Sequence, residues 1–253
     1  MKSETGVFSG RRAIVTGSAS GIGRAVACAL AREEAEVHGW DLDQEGLKLT
    51  ASQTGGAMTS HRVDVRDVDE ISVLFEKFPP ELIVHCAAKS AQTPLKSDCR
   101  DVWDTVFSTN FEGCRNVVLG AAQCMRRRNG GRILAMSSVH ASLHEPEQAA
   151  YGVAKAAMER LVRAVAVEFA CDNILINCLS PGFVDTPMSR VGGVHELETE
   201  GLCKQFIESG RLPLRRPALP EEIAALALLL LDPSNTYLTG QTIIADGGLT
   251  LTL

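Results

Sequence analysis

No two cysteines of this chain form a CxxC pair, although it has eight of them. In a chain of 253 residues with a core of its own, scattered cysteines argue against both a disulfide framework and a zinc module. They read as reduced thiols in a cytosol-like compartment, and no metal site is expected. Long apolar runs are missing too: the longest, Ile223 to Leu231, has nine residues, too few to span a bilayer. The N-terminal MKSETGVFSGRRAIVTG has no apolar signal core. Arg11-Arg12 is similar to a twin-arginine start, but glycine and polar residues follow within a few positions. A cytoplasmic protein with no membrane partner is expected.

Positive charge is scarce. Lys and Arg total 25 against 31 Asp and Glu, giving a net charge of −6 and a pI near 5.6, which argues against nucleic acid as a partner. The basic cluster Arg126-Arg127-Arg128 stands before the turn signal Asn129-Gly130-Gly131 and reads as a solvated helix C-terminus. Linkers, repeats and low-complexity segments are absent, so residues 1–253 are expected to form one domain.

What is present is an alternation. Short apolar runs at 11–16, 35–41, 60–65, 82–87, 131–138, 174–180 and 241–246 predict strands. Helix-periodic segments near 21–33, 43–53, 67–78, 100–128, 149–171 and 220–232 lie between them. Strands with little polar alternation, separated by helices, predict an α/β fold, a Rossmann-type doubly wound parallel sheet of about seven strands. From Phe183 to Pro220 the chain is irregular, and a loop this long in a compact domain is more often functional than idle.

The first strand runs into Thr16-Gly17-Ser18-Ala19-Ser20-Gly21-Ile22-Gly23 and then a helix. Gly17, Ser20, Gly21, Ile22 and Gly23 are the candidates for a pyrophosphate cradle, because glycines let backbone N–H groups approach an anion at a helix N-terminus. A plain glycine turn is the alternative. Asp41 ends the second strand, 18 residues beyond Gly23. A carboxylate there accepts hydrogen bonds from an adenosine ribose and repels a 2′-phosphate, so NAD is favoured over NADP. No arginine or lysine occupies Ser18–Ser20 or 42–47 to offset that charge. A surface acid before a turn remains the alternative.

Only two tyrosines occur in the chain, and Tyr151 stands one helical turn before Lys155. Ser138, at the end of the fifth predicted strand, precedes Tyr151 by thirteen residues. These residues are similar to the short-chain dehydrogenase/reductase family. The glycine pattern at 16–23, Asn110 within TNFEG, Tyr151-x-x-x-Lys155, Pro181-Gly182 and the closing DGG at 246–248 match in order and spacing over nearly the whole chain. A free tyrosine is a poor base at neutral pH, and an ammonium group one turn away favours its phenolate form. Ser138 can hydrogen-bond the substrate oxygen as charge changes on it. The expected catalytic set is therefore Ser138, Tyr151, Lys155 and Asn110. Ser137 replaces Ser138 if the strand slips by one, and Asn110 could instead be a packing residue.

The resemblance implies that Lys155 and Tyr151 also meet the nicotinamide ribose and that Asn110 holds a water in a proton relay. It further places Asp64 and Val65 at the adenine, Cys86 and Ala87 at its ribose, and Pro181, Gly182, Val184 and Thr186 near the nicotinamide and phosphates. Two departures stand out. His85-Cys86-Ala87-Ala88 replaces the family's Asn-Asn-Ala-Gly, and the third predicted helix is short before Pro79-Pro80.

His140, His144, Glu145 and Gln148 lie between the serine and the tyrosine, where polar groups suit a hydroxyl-rich substrate. Substrate contacts are expected from Ser138, His140 and Tyr151. MSSVH at 136–140 is similar to the matching stretch of bacterial glucose dehydrogenases of the family; His140 and His144 can equally be ordinary loop histidines. Residues 187–216 would cover the substrate, and the acidic HELETEG within them mildly disfavours an anionic acyl carrier. Apolar helices at 149–171 and 220–232, with the TLTL tail, suggest a homotetramer. The expected function is NAD-dependent interconversion of a secondary alcohol, sugar or polyol favoured, with its ketone. A 3-oxoacyl-thioester reductase and a non-catalytic NAD-binding regulator are the alternatives.

Overall fold

The computed structural model describes residues 6–252. Residues 1–5 and 253, which the expected domain and tail include, lie outside the described residues. The strands are β1 (Arg12–Thr16), β2 (Glu36–Asp41), β3 (Met58–Arg62), β4 (Leu82–His85), β5 (Gly131–Met136), β6 (Ile174–Pro181), β7 (Arg190–Val191), β8 (Val194–His195) and β9 (Thr242–Ala245). The helices are α1 (Gly21–Arg32), α2 (Gln44–Gln53), α3 (Val68–Lys77), α4 (Arg100–Phe107), α5 (Gly113–Arg126), α6 (Ala149–Phe169), α7 (Glu200–Leu202) and α8 (Pro220–Leu231).

Seven parallel strands form one sheet in the order β3-β2-β1-β4-β5-β6-β9. Their side chains alternate between two buried layers, as the period of two requires. Ile14, Ile83, Ile133 and Ile176 pack with α3, α5 and α6 on one face. Val15, Val84, Leu134 and Leu179 pack with α1 and α8 on the other. The winding reverses between β1 and β4, and open α/β sheets hold ligands beyond the strand C-termini at such a reversal.

The third strand differs from its expected span. It begins at Met58, not Ser60, and stops at Arg62, because its partner β2 stops at Asp41, the register mate of Arg62. Val63 and Val65 still turn into the core beyond the ladder, which is why the apolar alternation continues there. The expected helix 100–128 is also interrupted. Residues Ser108–Glu112 form a π-helical turn between α4 and α5. Such one-residue expansions redirect side chains locally, and here the redirected residue is Asn110. Gly113 closes this turn, and a Cβ there would lie 2.5 Å from Val65 Cγ2.

The segment after β6 is built of short pieces: single helical turns, the β7–β8 hairpin and a π-helical turn over Cys203–Glu208. Leu197 and Leu212 from it bury against Val139 and Leu249. All eight cysteines are free thiols. No described helix is long and apolar enough to cross a membrane. Among the described residues no group of three or more His, Cys, Asp or Glu could hold a metal ion.

Candidate active site

A cavity of about 1330 Å³ runs along the C-terminal ends of the strands. One end is made by the glycine loop. Gly17 has φ 69°, and a Cβ on it would lie 2.7 Å from the Ala87 amide nitrogen. A Cβ on Gly23 would land on the Gly17 carbonyl. Only glycine permits both the left-handed turn and this approach. Ser20, the N-cap of α1, makes no side-chain capping bond, so the first N–H groups of the helix stay available to an anion. Arg24 braces the loop from outside, donating to the Ala19 carbonyl and, at 3.0 Å, to Thr50 Oγ1.

Asp41 faces this cradle with its carboxylate already oriented. One oxygen accepts from the Ala19 amide and the other from the Asp43 amide, each at 3.0 Å. Asp64 and Val65 also line the cavity. The Asp64 carboxylate is gripped by Arg66 Nε at 2.9 Å and 3.0 Å, and that ion pair holds it below the usual carboxylate range. Arg66 was not among the expected residues; its position two beyond Asp64 was the available signal.

The departure at 85–88 has a local explanation. Thr16 Oγ1 accepts from the amides of Cys86 at 3.2 Å and Ala87 at 3.1 Å. It lies 3.0 Å from His85 Nδ1, so its own proton points to that nitrogen and the imidazole carries its hydrogen on Nε2. His85 is 1% exposed, and burial, with Lys155 nearby, pushes it down to about 3, which leaves the ring neutral. The Nε2 atom is buried without a hydrogen-bond partner. Burial also pushes the Cys86 thiol up to about 12, so it is no nucleophile at neutral pH.

At the middle of the cavity the chain brings Ser138, Tyr151 and Lys155 to one wall. Ser137 extends the β5 ladder to Leu179 and its hydroxyl donates to Glu159 Oε1 at 2.7 Å. It is therefore committed to α6, and Ser138 caps the turn that follows, accepting from the His140 amide at 3.2 Å. Tyr151 lies in the first turn of α6. Gly152 beside it is required by packing, since a Cβ would sit 2.8 Å from the His140 carbonyl oxygen. Lys155, 2% exposed, points its Nζ to the Met136 carbonyl at 2.6 Å, with the Tyr151 ring centroid 5.5 Å away. Pro181, Gly182, Val184 and Thr186 complete this wall.

Asn110 sits behind the wall, 1% exposed. Its Oδ1 accepts from the Lys89 amide at 2.7 Å and its Nδ2 donates to the Lys89 carbonyl at 2.9 Å. Both ends of the side chain thereby bond the irregular segment that follows β4. The far end of the cavity gathers His140, His144, Glu145 and Gln148 with Glu196, Gln205 and Arg211 from the 187–216 segment. Leu249, Thr250 and Thr252 line it as well, and Thr252 Oγ1 donates to the Arg211 carbonyl at 2.7 Å. The tail is thus used within the chain. Its contribution, and that of Glu196, was invisible to periodicity because both reach the site only through tertiary packing.

The residues present fit a dinucleotide: a glycine cradle that a Cβ would fill, an uncapped helix N-terminus and an acid after the second strand. A family model described as Enoyl-(Acyl carrier protein) reductase matches residues 17–250. The chain belongs to the short-chain dehydrogenase/reductase family. It is 31% identical to the 3-oxoacyl-[acyl-carrier-protein] reductase FabG of Chlamydia trachomatis, over 97% of this chain and 99% of that protein. Gluconate 5-dehydrogenase of Gluconobacter oxydans is 30% identical over 97% of each. A 2-keto-3-deoxy-L-fuconate dehydrogenase of Xanthomonas campestris is 32% identical over 94% of this chain and 80% of that one. Among solved structures, acetoin dehydrogenase from Enterobacter cloacae superposes with a TM-score of 0.83 at 30% identity, covering 96% of both chains. Short-chain dehydrogenases and reductases act on CH–OH groups with a nicotinamide cofactor, and this chain is an oxidoreductase of that kind.

Proposed function

We propose that the chain is an NAD-dependent oxidoreductase that interconverts a secondary alcohol, a sugar or polyol by preference, with its ketone. The observation that carries this reading is the convergence of Ser138, Tyr151 and Lys155 on the cavity wall that continues from the glycine cradle. The preference for NAD is supported by Asp41, whose oriented carboxylate would meet a 2′-phosphate as like charge. Two of the cations near that end are engaged elsewhere, Arg24 with the loop carbonyl and Thr50 and Arg66 with Asp64, while Arg62 lies beside Asp41 on the neighbouring strand.

A nicotinamide held in this cavity would supply the acceptor for the hydride that leaves the carbinol carbon. In the oxidative direction Ser138 Oγ hydrogen-bonds the substrate oxygen, and the Tyr151 phenolic oxygen takes the hydroxyl proton. Lys155 lies beside the Tyr151 ring and would also hold the ribose hydroxyls of a bound cofactor. The main-chain carbonyl of Asn110 holds the water that passes the proton on, since its side chain is occupied by Lys89. The free N–H groups at the start of α1, with Gly17, Gly21 and Gly23, take the pyrophosphate. Val65, Cys86, Ala87, Pro181, Gly182, Val184 and Thr186 supply the remaining cofactor walls. Residues 187–216 act as the substrate cover.

A homotetramer is supported by the outer faces of two helices. Leu229 on α8 is 66% exposed and Val167 on α6 81% exposed, and Ile244 on the neighbouring β9 is half exposed. A cytoplasmic site of action fits the eight free thiols.

The test is reduction of NAD⁺ and NADP⁺, side by side, against polyols, sugars and 3-hydroxyacyl thioesters. NAD⁺-dependent turnover of a polyol supports the reading. A second reading, a 3-oxoacyl-thioester reductase, is favoured by the similarity to the chlamydial FabG. Turnover confined to NADP⁺ with thioesters would put it first. A regulator that binds NAD without turnover is disfavoured because such a protein needs no acid/base set at this spacing.

A further inference from the structure

The substrate end of the cavity carries a charge pattern that the reaction itself does not require. His140 Nε2 lies 2.9 Å from Glu145 Oε2, and the imidazole meets the Tyr151 ring edge-on with centroids 5.8 Å apart. The imidazole–carboxylate contact is thereby set directly against the proposed acid/base. Glu196 enters the same cavity from a different element, the turn after β8. It is half-buried. Burial first, and the Glu145 charge second, raise its carboxyl to about 6, while His140 pulls the other way. Two carboxylates from separate segments thus line one cavity with one imidazole, which contacts Glu145. Glu196 has no ion-pair partner among the described residues. Lys89 and Arg211 line the same cavity and keep their charge, but both are exposed, where solvent screens them, and Arg211 lies over the Phe206 ring at 5.6 Å.

We propose that Glu145 and Glu196 act as a charge filter, admitting neutral or cationic hydroxylated substrates to Tyr151 and turning away carboxylates. This inference rests on the reading of Tyr151 as the acid/base, and it goes against what the relatives' names would transfer. Gluconate and 2-keto-3-deoxy-L-fuconate, named for two similar enzymes, are both carboxylates. The carboxylates serve the accepted substrate as well, because an ionised oxygen accepts strong hydrogen bonds from adjacent hydroxyls. His140, fixed by Glu145, orients the outer hydroxyl and is a positioning residue for the alcohol held by Ser138 and Tyr151.

Three secondary alcohols that differ only in terminal charge test the filter: 1,3-butanediol, 3-hydroxybutanoate and 4-amino-2-butanol. Oxidation of each is measured with NAD⁺ and NADP⁺ for wild type, Glu145→Gln, Glu196→Gln and Tyr151→Phe. Binding of each to the enzyme–NADH complex is followed in parallel by nicotinamide fluorescence. The wild type should favour the diol and the amine over the carboxylate by roughly tenfold or more, the usual consequence of setting like charges together. Each glutamine variant should narrow that ratio to about threefold or less by improving KM for the carboxylate. A wild type that takes the carboxylate as well as the diol overturns the proposal, as does a ratio unchanged in both variants or the absence of any charge ranking in binding. Turnover that survives Tyr151→Phe while the ranking persists would instead sink the acid/base assignment and leave the filter standing.

Discussion

The two ends of the cavity are built by different means. The cofactor end is a backbone construction: Gly17 and Gly23 exist there because a Cβ has no room, and Thr16, Asp41 and Asn110 spend their side chains holding neighbouring amides and carbonyls. The substrate end is a side-chain construction, in which His140, Glu145 and Glu196 face one another across loops joined only by packing. A backbone site tolerates little change, whereas a side-chain site can change its ligand by exchanging a few residues. This difference accounts for similar folds whose names specify dissimilar substrates.

The sharpest way to break the comparison is at Gly17. Gly17→Val introduces a branched side chain at φ 69° where even a Cβ would lie 2.7 Å from the Ala87 nitrogen. NADH binding, measured by fluorescence titration, should be lost and the melting temperature should fall, since such strain costs about 1–3 kcal/mol before any clash is counted. Retained NADH affinity would mean that the cradle is softer than a backbone construction allows.

Asn110→Ala is the next largest. It empties a 1% exposed side-chain position and removes two part-buried hydrogen bonds to the Lys89 amide and carbonyl, a loss of about 1–3 kcal/mol in stability. Chemical denaturation of the variant reads this directly. A change within a few tenths of a kcal/mol would show that water replaces the side chain at no cost.

Cofactor choice should move by less. Asp41→Asn removes the negative charge and keeps an acceptor for one of the Ala19 and Asp43 amides only, since its NH2 takes the place of the other oxygen. The ratio of kcat/KM for NAD⁺ over NADP⁺ should drop by about tenfold. An unchanged ratio would place the discrimination elsewhere.

The smallest effect belongs to Glu196 and has a pH signature. Its folded-state value, about 6, lies above the ordinary carboxylate value of 4.5, so its proton is held more firmly in the folded chain. The associated stability is complete below about 4.5 and is lost as pH rises through about 6. Glu196→Gln should therefore raise the melting temperature more at pH 8 than at pH 5, and rejection of 3-hydroxybutanoate by the wild type should relax below about pH 6. Equal gains at both pH values would indicate a carboxyl group with no such perturbation.

Legibility in the sequence followed the same division. The positions of the cradle, Asp41, Ser138, Tyr151 and Lys155 were readable because each sits at the end of an apolar strand or at helical spacing, while the roles proposed for them rest also on the family pattern. The span of β3 was not, because a ladder ends where its partner ends, and the alternation Val63-Asp64-Val65 carries no trace of where β2 stops. Nor was the π-helical turn at Asn110, since an extra residue in one turn leaves the surrounding helical pattern intact. The pairing of His85 with Thr16 depends on the register of β1 and β4, and Glu196 reaches the cavity through a chain of short turns. These are tertiary facts without a local pattern.

The most direct test of the whole account is a single preparation of Tyr151→Phe, assayed for NADH binding and for alcohol oxidation together. The account predicts that the nucleotide still binds within about tenfold of wild type, because only one hydroxyl contact is removed, while turnover falls by about 10²- to 10⁴-fold. Turnover within a few-fold of wild type would contradict it, and so would loss of NADH binding in a variant that remains folded.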